Sequence, residues 1–297
     1  MERVKCALCG SEKHSMVLTA EDYRFHTTDE KFNLVKCRGC GLVYVNPRPT
    51  KEEMSKFYPR DYYGKQNRMA KVIVKHLLYM KIRKIMSFRK KGRILDVGCG
   101  EGGFLLNFKE RGWEAYGVDI SEAACRLARA KLGRYIFNCE LKDRHFPDSY
   151  FDVVTLNHVL EHMLNPNEEL REVHRILKDD GILRLSTPNI DSLQFKISKD
   201  RWIGLDLPRH LCYYSPRTIK DILKRNGFNV INTAYPLLDF PLDFFHSLKV
   251  KWLDEKFKFL KTPILPFVLI ASILIKLHPA WRGSIEITSK KLVLSQV

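Results

Sequence analysis

The chain has 297 residues, of which 45% are hydrophobic and 29% are charged, and this balance excludes a largely disordered protein. Lysine and arginine number 51 against 34 acidic residues, which gives a formal net charge of +17, and eleven of the cations lie in residues 65–93, which contain no acid. Such a basic segment suits a nucleic acid, an anionic membrane or a phosphorylated substrate, so charge alone does not choose among these partners.

The first residues and the cysteines predict the compartment. The chain opens with Met1-Glu-Arg-Val-Lys5, which places charges where a signal peptide would have its apolar segment. Paired cysteines in a reducing cytoplasm bind metal more often than they form disulfides. We therefore expect a cytoplasmic protein whose paired cysteines bind a metal ion.

Residues 1–49 are predicted to form a small zinc-binding module that resembles a zinc ribbon. Two Cys-x-x-Cys pairs are separated by 27 residues, and four thiolates at this spacing can form a tetrahedral shell around Zn²⁺. Because a site with four cysteine ligands has no open coordination position, we expect the zinc to be structural. The predicted ligands are Cys6, Cys9, Cys37 and Cys40.

Residues 50–91 are predicted to contain a linker followed by a basic amphipathic helix over about 67–88. Apolar residues recur there at spacings of three and four, which is typical of one helical face, while lysine and arginine occupy the other faces. A helix packed on the core with a solvated basic side and a helix that forms a binding surface are equally consistent with this pattern. The apolar positions are Val74, Leu77, Leu78, Ile82, Ile85 and Met86.

From residue 92 to residue 297, short apolar strands alternate with helices, and this order predicts a doubly wound, mostly parallel α/β sheet. Predicted strands cover 93–97, 114–119, 135–138, 151–156, 181–187, 228–234 and 284–289. Predicted helices follow the first strand to about 111 and cover 121–132, 167–177 and 216–226.

A glycine-rich turn follows the first of these strands and predicts a nucleotide site. Gly98-Cys-Gly-Glu-Gly-Gly103 satisfies the dinucleotide fingerprint, and Asp119 lies about twenty residues further on, as a ribose-binding acid should. Three further acids argue against NAD. Asp96 precedes the turn, where it suits a cationic amino group, Glu101 would repel a pyrophosphate at the helix N-terminus, and Glu140 is placed to accept an adenine amine.

These acids and glycines resemble the motifs of the class I S-adenosylmethionine-dependent methyltransferases. The resemblance implies a Rossmann-like sheet with an antiparallel last strand and covers about residues 90–235 and 284–292. One departure is that Gly181 stands alone where the family often has a pair of glycines. The matching segments are 96–102, Gly117-Val-Asp119, 146–154, Val159-Leu-Glu-His162 and Thr187-Pro-Asn189.

The same resemblance implies the cofactor site. Asp119 would hold the ribose hydroxyls, Asp96 the amino group, and Glu140 the adenine amine by its position only. The residues implied in cofactor binding are Asp96, Gly98, Gly100, Gly102, Asp119, Ile120, Glu140, Leu141 and Asn157.

The catalytic task would be to hold an acceptor atom in line with the activated methyl group, within about 3–3.5 Å. A base would remove the proton of a hydroxyl acceptor. The candidates are His210, with Tyr213 beside it, and His158. His158-x-x-Glu161-His162 also spells an inverted zinc-protease pattern. Because this pattern lies at a strand end within methyltransferase motifs, a protease is not expected. Binding of a metal ion by the same residues remains an open alternative.

Three functions remain in view. The layout of cysteine module, core and apolar tail insertion looks like that of methyltransferases that modify sugars, surface glycans and lipids, so a small-molecule or lipid-linked acceptor is expected first. An RNA methyltransferase would use the zinc module and the basic segment, but the residues after the fourth strand, Asn157-His-Val-Leu160, lack a base-amine motif. A binding protein that has lost catalysis is the third, and the intact acids and glycines argue against it.

Residues 236–283 form an apolar insertion before the last strand. Its run 264–275 contains no charge but is too short to span a bilayer, which needs about 20 such residues. Either it is buried against the core or in a homodimer, or it lies on an anionic membrane with nearby aromatic and lysine residues. The second alternative predicts a cytoplasmic protein that is peripheral on the inner face of the membrane.

Overall fold

The computed structural model describes residues 1–59, 78–236 and 278–292. Its strands are β1 (His14–Glu21), β2 (Lys31–Cys37), β3 (Val43–Val45), β4 (Arg93–Val97), β5 (Glu114–Asp119), β6 (Ile136–Asn138), β7 (Phe151–Asn157), β8 (Leu177–Pro188), β9 (Cys212–Tyr213), β10 (Phe228–Ala234) and β11 (Ser284–Lys291). Its helices are α1 (Lys51–Met54), α2 (described over 78–86), α3 (Gly103–Lys109), α4 (Glu122–Leu132), α5 (Pro166–Ile176), α6 (Leu193–Ser198) and α7 (Pro216–Arg225).

Seven strands form the large sheet in the order β10-β11-β8-β7-β4-β5-β6. Neighbours from β8 to β6 run parallel, whereas β11 is antiparallel to both β8 and β10. The predicted doubly wound sheet with an antiparallel last strand is confirmed. The chain leaves β4 toward β5 and β6 and then returns to β7 on the other side of β4. This reversal creates the crevice at which such sheets bind ligands.

Burial explains why these segments form the sheet. Ile94 and Leu95 of β4 and Val153, Val154 and Leu156 of β7 are fully buried, as continuous apolar runs of central parallel strands require. Helices cover both faces of such a sheet, and the apolar side of each helix packs on it.

Helix ends follow from local chemistry. Ser215 and Thr218 form a capping box at the start of α7, and Gly227, with a φ of 80°, follows its end. Ser121 caps α4 by accepting a hydrogen bond from the Ala124 N–H. The predicted bounds of both helices agree with the observed ones to within one residue.

The first part of the segment after residue 49, which was predicted to be a linker, contains a short helix. Thr50 and Glu53 form a capping box that starts α1, and Phe57 is buried with its ring edge against Phe32. Phe57 therefore packs on β2, whereas α1 has no buried residue. In the predicted basic helix, Ile82 of α2 is buried in the core as its apolar stripe predicted, and residues 67–77 lie outside the described part.

A second sheet, in the order β1-β2-β3-β9, joins the N-terminal module to the rest of the chain. Strand β3 pairs antiparallel with β9, so Val43 lies opposite Tyr213 and Tyr44 opposite Cys212. This sheet therefore contains strands from both sides of the predicted boundary at residue 49. Within the described ranges, no helix has the length and apolar character needed to cross a membrane.

Candidate functional site

Two acidic residues lie at neighbouring strand ends beside the crevice, and the first is Asp96 of β4. One of its carboxylate oxygens, Oδ1, accepts hydrogen bonds from Thr155 Oγ1 at 2.5 Å and Asn157 Nδ2 at 3.2 Å, both from β7. Burial raises the pKa of Asp96 to about 7, and the two hydrogen bonds oppose that rise. A cationic group bound in the crevice would therefore favour the ionised form of the Asp96 carboxyl.

The second acid, Asp119, ends β5 and is held by backbone N–H groups. Gly100 N donates to its Oδ2 and Ser121 N to its Oδ1, each at 2.8 Å. A carboxylate oxygen can accept two hydrogen bonds, so each oxygen of Asp119 retains acceptor capacity for a hydroxyl. The next residue, Ile120, is 73% exposed and offers an apolar face beside this acid.

The glycine turn between β4 and α3 serves two purposes. Gly98, Gly100 and Gly102 have φ values of 69°, 52° and 73°, in the left-handed region that favours glycine. A Cβ at Gly98 would lie 2.5 Å from Val159 Cγ2, and one at Gly102 would lie 2.7 Å from Leu132 Cδ1, whereas one at Gly100 would meet nothing within 4 Å. The outer glycines permit close packing, and Gly100 leaves room for a ligand.

The predicted adenine-binding residues follow β6. Leu141 is buried, whereas the Glu140 carboxylate pairs with Lys51 of α1 and with Lys142 at 3.2 Å. The hydrogen bond from Lys51 is the largest influence holding the pKa of Glu140 below its usual value. The N-terminal part of the chain therefore reaches the edge of the crevice.

His158 comes directly after β7 with a φ of 54°, and its N–H donates to the Ser186 carbonyl at 3.0 Å. Its ring Nδ1 lies 3.3 Å from Glu161 Oε1, and its side chain is 21% exposed. His158 therefore follows directly on Asn157, whose side chain contacts Asp96.

His210 lies deeper, in the loop before β9. Its Nδ1 is 2.9 Å from the Gly204 carbonyl oxygen, and its ring packs edge-on against that of His162 with centroids 4.5 Å apart. His162 Nδ1 is 3.1 Å from both the Arg209 carbonyl oxygen and the Tyr58 hydroxyl. Burial, and then the neighbouring His210, lower the pKa of His162 to about 4.

Tyr213, proposed from sequence to stand at the acceptor with His210, is enclosed by protein. Its hydroxyl donates to the Leu205 carbonyl at 2.7 Å and is 3.1 Å from the His210 carbonyl. Burial raises its pKa well above 10. Tyr213 is therefore a core residue of the wall behind His210.

The four cysteines of the N-terminal module converge. Sγ of Cys6 is 3.4 Å from Sγ of Cys40, and Sγ of Cys9 is 3.4 Å from Sγ of Cys37, with all four atoms within 4.8 Å of one another. A disulfide would need about 2.05 Å. Around a zinc ion with Zn–S bonds of about 2.3 Å, tetrahedral sulfurs lie slightly under 4 Å apart, which this cluster matches.

Both cysteine pairs sit in equivalent turns that end in glycine. Gly10 N donates to the Cys6 carbonyl at 2.8 Å and Gly41 N to the Cys37 carbonyl at 3.0 Å, with φ values of 74° and 84°. Burial opposes ionisation of Cys37, but N–H groups of Cys40 and Gly39 lower the pKa of its thiol to about 6. The turn therefore favours the thiolate of Cys37, whereas burial raises the pKa of the Cys6 thiol and raises that of Cys40 to about 11.

Sequence patterns missed several residues that shape the site. Thr155 binds Asp96 because it lies opposite it in the register of β4 and β7, a relationship that no local motif encodes. Lys51 reaches Glu140 only through the fold. Ser121 could have been found, since a serine before a helical segment is a common cap.

A seven-stranded sheet in this order, with two acids and a glycine turn at its switch point, defines the class I methyltransferase architecture. A family model described as a methyltransferase domain matches residues 67–233, more than half of the chain, and the chain belongs to this family.

Individual relatives agree with that assignment. A probable S-adenosylmethionine-dependent methyltransferase of Mycolicibacterium smegmatis is 28% identical over 58% of this chain and 62% of its own length. A ubiquinone biosynthesis O-methyltransferase of Alkalilimnicola ehrlichii is 37% identical over 33% of this chain and 42% of its own length. In both cases the chain covers less than two thirds of the relative.

Among solved structures, a SAM-dependent methyltransferase from Archaeoglobus fulgidus superposes with a TM-score of 0.51 at 25% identity. The match covers 73% of this chain and 94% of that one.

Proposed function

We propose that this protein transfers the methyl group of S-adenosylmethionine to an acceptor held beside His158. The observation that carries the proposal is the pair of fixed carboxylates at the ends of β4 and β5. Asp96, held by Thr155 and Asn157, suits the amino group of the cofactor, and Asp119 suits its ribose hydroxyls.

The remaining pocket residues fit the same cofactor. Ile120 offers an apolar surface for the adenine ring and Gly100 leaves space for close approach of the ligand. Glu140 would release Lys51, whose side chain is largely exposed, and would accept a hydrogen bond from the adenine amine instead. When bound, S-adenosylmethionine supplies a methyl group already activated by the sulfonium charge, so the protein needs no covalent intermediate.

The proposed acceptor is a hydroxyl of a small molecule, a sugar or glycan, or a lipid-linked compound. Similarity to an O-methyltransferase supports an oxygen acceptor. Among the residues predicted from sequence to face the acceptor, His158 is the more exposed, with 21% of its side chain accessible against 9% for His210. We assign His158 to orient the acceptor, and His210 and Tyr213 to the wall behind it.

We further propose that the cysteine cluster holds one structural Zn²⁺. The convergence of four sulfurs and the two matching glycine turns support this, because a four-thiolate site is closed to substrates. The ion would tie the turn that holds Cys6 and Cys9, before β1, to the end of β2 and the turn before β3, which hold Cys37 and Cys40.

For the location, we propose that residues 236–283 dock the enzyme on the inner face of an anionic membrane to reach a lipid-linked acceptor. The support is compositional: an uncharged apolar run at 264–275, with aromatic and lysine residues before it. Residues 237–277 lie outside the described part of the chain, so this stays a prediction from sequence, as does a homodimer formed through the same run.

Calorimetry of S-adenosylmethionine binding tests the proposed function. Asp119→Ala should weaken binding at least tenfold, since a hydrogen bond to a charged group contributes about 1.5–3 kcal/mol. Asp221→Ala, on the surface of α7, is the matched control and should bind like the unmodified protein. Unchanged affinity in Asp119→Ala, or tight NAD binding by the unmodified protein, would overturn the assignment.

A further inference from the structure

A group of charged side chains lies between α2 and the large sheet, outside the proposed cofactor site. Lys81 of α2 places its Nζ 3.6 Å from Glu286 Oε1, and its carbonyl oxygen accepts a hydrogen bond from Arg184 Nη1 at 2.9 Å. Arg184 also donates to Glu286 Oε2 at 2.6 Å. About one turn further along α2, Lys84 Nζ donates to Asn232 Oδ1 at 3.0 Å. We call Lys81, Lys84, Arg184 and Glu286 the α2 cluster.

The α2 cluster borders the part of the crevice that the cofactor acids leave open. Strand register forms one row from Asp96 on β4 through Thr155 on β7 to Arg184 on β8. Burial raises the pKa of Asp96 to about 7, and the positive charge of Lys81 is near enough to oppose that rise. Since the acids proposed for the cofactor end β4 and β5, an acceptor must approach over β7 and β8, where the α2 cluster lies.

The positive charges of the α2 cluster exceed its negative charge. Lys81, Lys84 and Arg184 contribute three cations, whereas Glu286 contributes one carboxylate. Glu286 lies 2.6 Å from Arg184 and 3.6 Å from Lys81, so its charge is offset mainly by Arg184. Lys84 pairs with a neutral amide, and burial and then the charge of Arg184 lower its pKa. A bound anion would offset the two positive charges that remain.

A buried hydroxyl at the same place has no partner. Ser186 follows Arg184 by two residues on β8 and lies opposite Glu286 of β11, so the three side chains share one face of the sheet. Ser186 is 1% exposed, and its Oγ has no hydrogen-bond partner among the described residues. Because native proteins rarely bury a polar atom without a partner, this hydroxyl is a donor that an oxyanion beside Lys81 would use.

We propose that the α2 cluster binds a phosphate or diphosphate group of the methyl acceptor, with Lys81 as its direct contact. The inference rests on the proposed function, since it concerns the acceptor of that methyl transfer. Charge selects the ligand class: a carboxylate brings one negative charge, whereas a phosphate monoester brings about 1.5 to 2 and matches the excess of the cluster. The acceptor is therefore a hydroxyl compound that carries phosphate, such as a phosphorylated sugar or a sugar on a diphosphate carrier.

Calorimetric titration of the full chain with inorganic pyrophosphate tests the site. Physiological ionic strength screens the general attraction of a protein with a net charge of +17, and we expect one equivalent to bind. Lys81→Gln should weaken this binding at least about tenfold, because a hydrogen bond between charged groups is lost. Lys81→Arg keeps the charge and should retain binding. Lys220→Gln, at an exposed position of α7, removes the same charge elsewhere and should bind like the unmodified protein.

Three results would overturn the proposal: no pyrophosphate binding by the unmodified protein, unchanged binding by folded Lys81→Gln, or an equal loss in Lys220→Gln. If Lys81→Gln weakens binding of S-adenosylmethionine and leaves pyrophosphate binding unchanged, the cluster serves the carboxylate of the cofactor and the proposal is wrong.

A measurement on the unmodified protein decides the matter even if a variant fails to fold. Pyrophosphate should slow the reductive methylation of Lys81, followed by mass spectrometry, but not that of Lys220, and equal rates would refute the site. Binding of S-adenosylmethionine is measured in parallel. Its absence from the unmodified protein would remove the proposed function and leave the pyrophosphate result standing.

Discussion

Asp22 and Arg209 form a fully buried ion pair that joins the N-terminal strands to the loop carrying His210. Arg209 donates to both oxygens of Asp22, from Nη2 to Oδ1 at 2.6 Å and from Nη1 to Oδ2 at 3.0 Å, and both side chains are 0% exposed. Arg209 also binds Asp206 and the Phe57 carbonyl. The cysteine module therefore helps to fix the wall of the crevice.

Removal of this acid should destabilise the whole chain. Asp22→Ala is expected to lower the free energy of unfolding by about 3–5 kcal/mol, because it leaves the Arg209 guanidinium buried with fewer partners. Denaturant unfolding measures the change. Glu12→Gln, which breaks the exposed pair with Lys5, is the control and should have no measurable effect. Equal stability of the two variants would contradict the role of the pair.

The same pair predicts an acid-dependent loss of stability. Burial raises the pKa of Asp22, but hydrogen bonds from Arg209 and Thr27 outweigh this and lower it to about 2, below the 3.8 of an unperturbed aspartate. A lowered carboxyl pKa contributes stability that is complete above pH 3.8 and is lost as the pH falls toward 2. Asp22→Asn should lack this pH-dependent part of the free energy of unfolding, which amounts to about 2 kcal/mol.

Asp96 should make cofactor binding depend on pH. Its pKa of about 7 in the free protein means that S-adenosylmethionine, which needs the ionised carboxylate, must displace a proton below neutral pH. The dissociation constant should rise roughly eightfold between pH 7.5 and pH 6. Calorimetry in buffers of different ionisation enthalpy would detect the released proton. Asp96→Asn should bind weakly at both pH values, and a flat profile in the unmodified protein would refute the assignment.

The cysteine cluster should contain one zinc ion per chain. Metal analysis of protein purified without chelator is expected to show it, and Cys37→Ser should lose both the zinc and thermal stability, because folding of a small four-cysteine unit is coupled to metal binding. Cys139→Ser, at a cysteine outside the cluster, provides the control. A Cys37→Ser protein that retains metal and stability would exclude the cluster as the site.

The apolar insertion should govern membrane binding. Flotation with vesicles is expected to increase with the content of anionic lipid and to fall when Phe267 and Leu269 are changed to aspartate. If those changes leave flotation unchanged but dissociate an oligomer or unfold the protein, the run is buried. Release of bound nucleic acid by a high-salt wash during purification would instead favour an RNA acceptor.

The sheet, the glycine turn and the cysteine pairs could be predicted from the amino-acid sequence, because each depends on local chemistry. Apolar runs predicted β4 and β7, Gly98–Gly103 predicted the turn, and Cys-x-x-Cys spacing predicted a cluster that converges in the structure. Each of these patterns lies within a few residues along the chain, where propensity and periodicity act.

The contacts between side chains that are distant along the chain could not be predicted in this way, because they arise from the packing of the folded chain. Strand register placed Thr155 against Asp96, and the pairing of β3 with β9 joined the N-terminal module to the loop that brings His210 to Glu161. The same packing enclosed Tyr213, whose sequence position had suggested a role at the acceptor. These contacts depend on burial and on long-range strand pairing, whose partners lie far apart along the chain and leave no local pattern.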